Sequence, residues 1–150
     1  MEYCTLNDLT RWIDPVELVA LCTRDSGATL ASEEVAAVAA EVIRGAGAEI
    51  DSYLLGRYPG LRDITPPPAE MTSLCARIAI YNLYLRRRVV SELWRKNYED
   101  CRQRLEKASE GHLSLGMGQD GQVAGSPERP WRTDTLDEER VYSREKLNRF

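Results

Sequence analysis

The chain has 150 residues, 43% of them hydrophobic and 29% charged, with a formal net charge of −4, four cysteines and one histidine. That balance belongs to a single globular domain able to bury a real core, and no apolar run approaches the roughly 20 residues needed to cross a bilayer. The cysteines are widely separated, which argues against a paired zinc site or a disulfide framework, and one histidine leaves little material for imidazole chemistry.

The total charge conceals a division along the chain. Residues 1–85 carry a net −6 and residues 86–107 a net +4. Opposite potentials of this kind suit contact between unlike faces of neighbouring copies, and they equally suit an ordinary solvated surface. The opening Met1–Thr5 has no positive cluster leading into an apolar stretch, so synthesis in the cytoplasm without a secretory signal is expected.

Thr5 and Asp8 have the spacing of a capping box and predict a short helix from Leu6 to Ile13. Asp14-Pro15-Val16-Glu17 repeats the signal more strongly, with a cap, a proline at the first helical position and a closing glutamate, and predicts a second helix to Cys22. Thr23 to Ala31, containing Asp25-Ser26-Gly27, is turn chemistry. Ser32 opens a long helix on which Val35, Val38, Ala39, Val42, Ala46, Ile50, Tyr53 and Leu54 share a face. Its Gly45-Ala46-Gly47-Ala48 stretch is poor in helix propensity and predicts a close helix crossing.

Gly56 to Pro68, with Pro59 and Pro66-Pro67-Pro68, predicts a stiff non-helical connection. Met71, Leu74, Cys75, Ile78, Tyr81 and Leu85 then mark a helix from Ala69 to Arg86. Ser91-Glu92 restarts helix, and Trp94, Tyr98, Cys101, Leu105 and Ala108 form a seam that ends at Gly111. Beyond it, glycines and prolines displace apolar periodicity until Trp131, Leu136, Val141, Tyr142, Leu147 and Phe150 appear as isolated anchors among charges. The expected architecture is all-α: a bundle of four to five helices over residues 1–112, a linker over 113–130 and a C-terminal docking arm over 131–150.

The order of these features resembles the head-tail connector (adaptor) proteins of Mu-like phages and prophages. The resemblance rests on Tyr3-Cys4-Thr5 with Asp8-Leu9, on Ile50-Asp51-Ser52-Tyr53-Leu54-Leu55-Gly56-Arg57-Tyr58, and on the proline connection. It continues through Ile78-Ala79-Ile80-Tyr81-Asn82-Leu83 followed by arginines, then Tyr98, Leu105 and Gly111, to Arg140-Val141-Tyr142-Ser143-Arg144-Glu145-Lys146-Leu147 and Phe150. It implies a non-enzymatic virion protein that forms a ring, dodecameric in such a family, beneath the portal vertex. The implied partners are the portal protein, neighbouring copies of the chain, stopper or tail proteins, and double-stranded DNA that passes through without sequence recognition. The alternative reading is a soluble helical adaptor whose tail binds a bacterial partner as a peptide.

The candidate contact residues follow from these readings. In the arm they are Trp131, Arg132, Arg140, Tyr142, Leu147 and Phe150. Between subunits they are Arg57, Tyr58, Arg86, Arg87 and Arg88, each with a competing structural role: Arg57 at a helix end, Tyr58 packed over the bundle, and three successive arginines solvated around a helix end. A helix-turn-helix reader is unexpected, because Pro15–Cys22 carries Glu17 and no Arg or Lys. The sequence lacks a phosphate-cradling Gly-Lys loop, a nucleophile elbow and a paired metal-ligand motif, so no catalytic, cofactor or metal residue is expected. The carboxylates of Glu33-Glu34 and Asp137-Glu138-Glu139 read as cap and surface charge, and His112 as a solvent-facing helix-end residue.

Overall fold

A computed structural model describes residues 2–89 and 91–116. Among them the elements are α1 (Leu6–Leu9), α2 (Pro15–Cys22), α3 (Glu33–Leu54), a 3-10 turn (Pro59–Asp63), α4 (Ala69–Arg87) and α5 (Glu92–Glu110), with no strand. The described body is thus all-helical, and none of these helices is long and apolar enough to cross a membrane. The arm candidates Trp131, Arg132, Arg140, Tyr142, Leu147 and Phe150 lie outside the described residues, as does the whole of the docking arm expected over 131–150.

The first two start signals act through identifiable hydrogen bonds. The Asp8 carboxylate accepts from the Thr5 backbone N–H at 2.9 Å and from its hydroxyl at 2.8 Å. Asp14 Oδ1 accepts the Val16 N–H at 2.8 Å, with Pro15 in the first turn where a missing N–H is harmless. Helix α1 stops at Leu9, short of the expected Ile13, because the chain turns to present Asp14 as the next cap; Ile13 still bonds back to the Leu9 carbonyl and is buried. Ser32 sits at the cap of α3, yet its hydroxyl accepts the Thr29 N–H and tightens the preceding loop.

Helices α3, α4 and α5 make the framework, and α1 and α2 pack on α4 and α3. Most of α4 is enclosed: Met71, Leu74, Cys75, Ala76, Ile78, Ala79, Ile80 and Leu83 are at most 1% exposed. Burial on so many sides explains why a single stripe describes α4 poorly. Leu85, expected on the core face, is 54% exposed, whereas Ile80 and Leu83 are inside. On α3 the crossing with α4 falls at the small residues: Cys75 Sγ lies 3.9 Å from the Ile43 carbonyl oxygen, and Ala46 and Gly47 are buried one turn on. Gly45 differs, since a Cβ there would meet nothing within 4 Å.

The proline connection is more structured than expected. Its 3-10 turn buries Leu61 completely, and Ile64 is buried beside it, so the segment adds to the core. On α5 the expected seam is the packed face, with Trp94, Cys101, Leu105 and Ala108 buried. Tyr98 stacks on Tyr81 with ring centroids 4.4 Å apart and donates to Glu49 Oε1 at 2.7 Å, tying α5 to both α4 and α3. Burial and the Glu49 carboxylate together push the Tyr98 hydroxyl up to about 12. The core reaches Leu115, which is fully buried, inside the stretch expected as linker.

The end of α5 is set by Gly111 at φ +85, with backbone N–H bonds to the Ala108 and Lys107 carbonyls. A Cβ there would lie 2.4 Å from an Arg57 guanidinium nitrogen. G111A combines a left-handed alanine with this collision and is expected to lose about 1–2 kcal/mol or more. Chemical denaturation checks this, and adding R57A should recover the steric part of the loss but not the backbone part.

Candidate partner-binding site

The site has two supports, one buried and one at the end of the body. The buried support is Asp51 on α3, 4% exposed. The Tyr3 hydroxyl donates to its Oδ1, while Arg62 donates to Oδ2 from Nε at 3.1 Å and from Nη2 at 2.9 Å. Burial opposes the Asp51 charge, but the Tyr3 hydroxyl and the Arg62 guanidinium prevail and hold its carboxyl below the usual carboxylate range. Tyr3 is correspondingly pushed up, by burial and by the carboxylate it faces. Beside this network Cys4 and Cys75 meet with Sγ atoms 3.2 Å apart as free buried thiols, and that contact together with burial raises the Cys4 thiol.

The second support is Arg87. From the last turn of α4 it donates to the Leu21 carbonyl at 3.0 Å, to Ala20 at 2.5 Å and to Thr23, closing the C-terminal end of α2. A cation at a helix C-terminus also complements the helix dipole. Thr23, itself buried, donates from its hydroxyl to Glu34 Oε2 at 2.8 Å and accepts the Asp25 N–H at 3.2 Å. The Tyr84 hydroxyl donates to Glu17, and burial with that carboxylate pushes it up to about 12. The junction of α2, α3 and α4 is therefore fixed by polar bonds where the apolar core ends.

These bonds frame a cleft of about 730 Å³ containing Arg24, Arg86, Arg87 and Arg88 with Asp25 and Glu34. Arg86 lies 3.8 Å from Glu41, an exposed pair of little energetic weight. Arg88 occupies the left-handed position at the α4 cap, φ 55, where helices favour glycine. Next to this cleft runs an apolar groove of about 390 Å³ between α2 and the loop that follows it.

The expected contact residues separate under this geometry. Arg86, Arg87 and Arg88 meet in the cleft, although Arg87 is occupied with carbonyls. Arg57 and Tyr58 are elsewhere: Tyr58 is buried, and the Arg57 guanidinium lies over the Gly111 turn with its Cζ 5.8 Å from the Tyr58 ring centre. The Arg57 guanidinium thus lies at the end of α5, a helix other than the one it follows. His112 is exposed and lies 3.3 Å from Glu110.

Sequence reasoning missed four participants. Asp51 had a visible signal, a carboxylate between Ile50 and Leu54 on an apolar helix face, which demands a partner. Tyr3 and Arg62 were its answers, but pairing across the fold is not encoded in local spacing. Arg24 reaches the cleft from a loop more than sixty residues before Arg86, and nothing in its own neighbourhood marks it.

The fold and its surfaces define a small helical protein whose distinctive exterior is an arginine-rich cleft beside an apolar groove. Residues 3–131 match the family described as Bacteriophage Mu, Gp36, and the chain belongs to that family. It is also similar to the Mu-like prophage FluMu protein gp36 of Haemophilus influenzae strain Rd, 35% identical over 86 residues that cover 57% of this chain and 58% of that protein. The match therefore spans less than two thirds of that relative's length.

Two substitutions test the supports. R87A should destabilise the body by about 2 kcal/mol, because two α2 carbonyls and that of the Thr23 cap lose a charged donor; an unchanged denaturation midpoint would show that water replaces it. For Asp51 the folded pKa is depressed, so its stabilisation is present above the unfolded value of about 4 and is lost as pH falls through the folded value. D51N should therefore be less stable than the parent at neutral pH and lose less stability on acidification, and thermal melts between about pH 6 and 3 should converge.

Proposed function

We propose that the protein is a structural component of a phage particle, a head-tail connector that forms a ring beneath the portal vertex. In this reading the helical body packs side by side with identical copies, and the C-terminal residues 131–150 grip the portal or an adjacent subunit. Stopper or tail proteins assemble on the opposite side, and double-stranded DNA passes through without being read. The protein resides at the neck of the virion and catalyses no reaction.

The observation that carries this reading is membership of a Mu phage family in a chain whose described core closes at Leu115. A further stretch follows, with Trp131, Tyr142, Leu147 and Phe150 set among charges, the composition of a segment that gains order on another surface. The lack of sequence reading has its own support. Helix α2, the candidate for a recognition helix, packs on α3 and α4 and offers Glu17, already bonded to Tyr84, with no basic side chain. The thiols are poorly placed for nucleophilic chemistry, since Cys4, Cys22, Cys75 and Cys101 are all buried and burial pushes Cys101 up to about 11.

Mass spectrometry of purified particles should find the protein at a fixed ratio to the portal subunit. Deleting residues 126–150 should leave the helical circular dichroism signal and the melting of the body intact while removing the protein from particles. Normal yields of infectious phage with the truncated chain would remove the arm from this account, and absence of the full-length chain from virions would remove the connector role.

A further inference from the structure

Among the described residues the side chains of Arg24 and Arg88 have no hydrogen-bond or ion-pair partner, yet they share one recess with Arg86 and Arg87. The recess also holds the carboxylates of Asp25 and Glu34, but its four guanidinium groups outnumber them, and clustered like charges repel one another unless further anions sit among them. Arg88 in addition holds a left-handed backbone that glycine would adopt without strain, and strained residues persist where the surroundings use them. The neighbouring groove has the opposite character. Pro15, Val16, Val19, Ala28 and Leu30 line it, Val16 is 79% exposed, and Asp25 borders both the groove and the cleft.

A nucleic-acid backbone would use the arginines and leave the groove empty. A peptide carrying carboxylates beside apolar side chains uses both. The sequence contains such a segment: Asp134, Asp137, Glu138 and Glu139 stand among Trp131, Leu136, Val141 and Tyr142. The placement of the two ends favours a second copy as its source. Gly116 lies beside Pro68 at the start of α4, where a Cβ would be 3.6 Å from the proline, whereas the cleft is at the far end of that 19-residue helix, about 28 Å away. A strap that leaves one end and a receptor at the other make a heterologous, head-to-tail contact.

We propose that the arginine cleft and the apolar groove together receive the acidic segment 131–142 of a second copy of this chain. The inference rests on reading residues 131–150 as a docking strap and supplies that strap with a receptor. Arg24 and Arg88 bind the carboxylates, and Val16 with Leu30 covers the apolar side chains.

The test is a fluorescence-anisotropy titration of a labelled peptide of residues 128–145 onto the full-length protein. The peptide should bind saturably and more weakly as salt rises. R24E/R88E, both surface changes, should weaken binding by about tenfold or more, and a D137K/E138K/E139K peptide should prefer that variant to the parent. No binding to the parent chain or to a full-length D137K/E138K/E139K chain overturns the receptor. Binding to the latter alone, with the parent monomeric by sedimentation at the titration concentration, identifies the occupant as the chain's own segment and overturns the second-copy assignment; the same pattern with a self-associating parent supports it. Binding of random duplex DNA that R24E/R88E abolishes, with the peptide unbound, makes the cleft a phosphate surface and likewise overturns it. Loss of the 126–150 truncation from particles alongside a peptide that does not bind would leave the connector role standing and remove only this receptor.

Discussion

Asp51 is a charge in a place where charge is costly, the inner face of the longest helix, and three separate parts of the chain converge to make it tolerable. Tyr3 brings the N-terminal segment, Arg62 brings the turn after α3, and α3 itself carries the carboxylate. Removing Tyr3 or Arg62 would take a donor away from a buried carboxylate, and removing Asp51 would take the acceptor from the buried Tyr3 hydroxyl, either of which costs more than the net gain of an ordinary hydrogen bond. The network therefore fixes the position of Cys4 against Cys75, and with it how the start of the chain crosses α4. Helix α1 is four residues long and would not persist alone; its location is inherited from this anchorage.

The opposite end of α4 is fixed by different means. There the core thins, and Arg87 replaces apolar packing with three bonds, two to carbonyls of the last turn of α2 and one to its Thr23 cap. Because those bonds use backbone acceptors, they hold α2 in place whatever side chains it presents. The exterior of α2 is thereby released from structural duty, which is why an aliphatic residue such as Val16 can remain on the surface without harm to the fold. The arginine run that borders this end divides its labour: one member ties helices together, and its two neighbours face the recess.

Much of this was legible in the residues. Asp14-Pro15 and Gly111 specify helix limits through backbone chemistry that operates locally, so α2 and the end of α5 appear where the sequence places them. The seam of α5 was readable because that helix buries one face. Helix α4 was less so, since a helix enclosed by neighbours lacks a single periodic stripe, and Leu85 fell on the wrong side. The turn at Pro59–Asp63 was hidden by prolines that forbid an α-helix but permit a shorter 3-10 turn capable of burying Leu61. At the candidate site the basic run was plain, while its division of roles and the arrival of Arg24 depend on tertiary placement that no local pattern records.

Leu115 sits five residues past the end of α5 and is fully enclosed by the hydrophobic cluster. In mechanical terms it is a cleat. A pull on the polypeptide beyond it is taken up by the packed interior before it can unwind α5, and Gly111 with Arg57 above it stiffens the bend between them. Load applied to the C-terminal stretch is thus delivered to the whole bundle and not to one helix end.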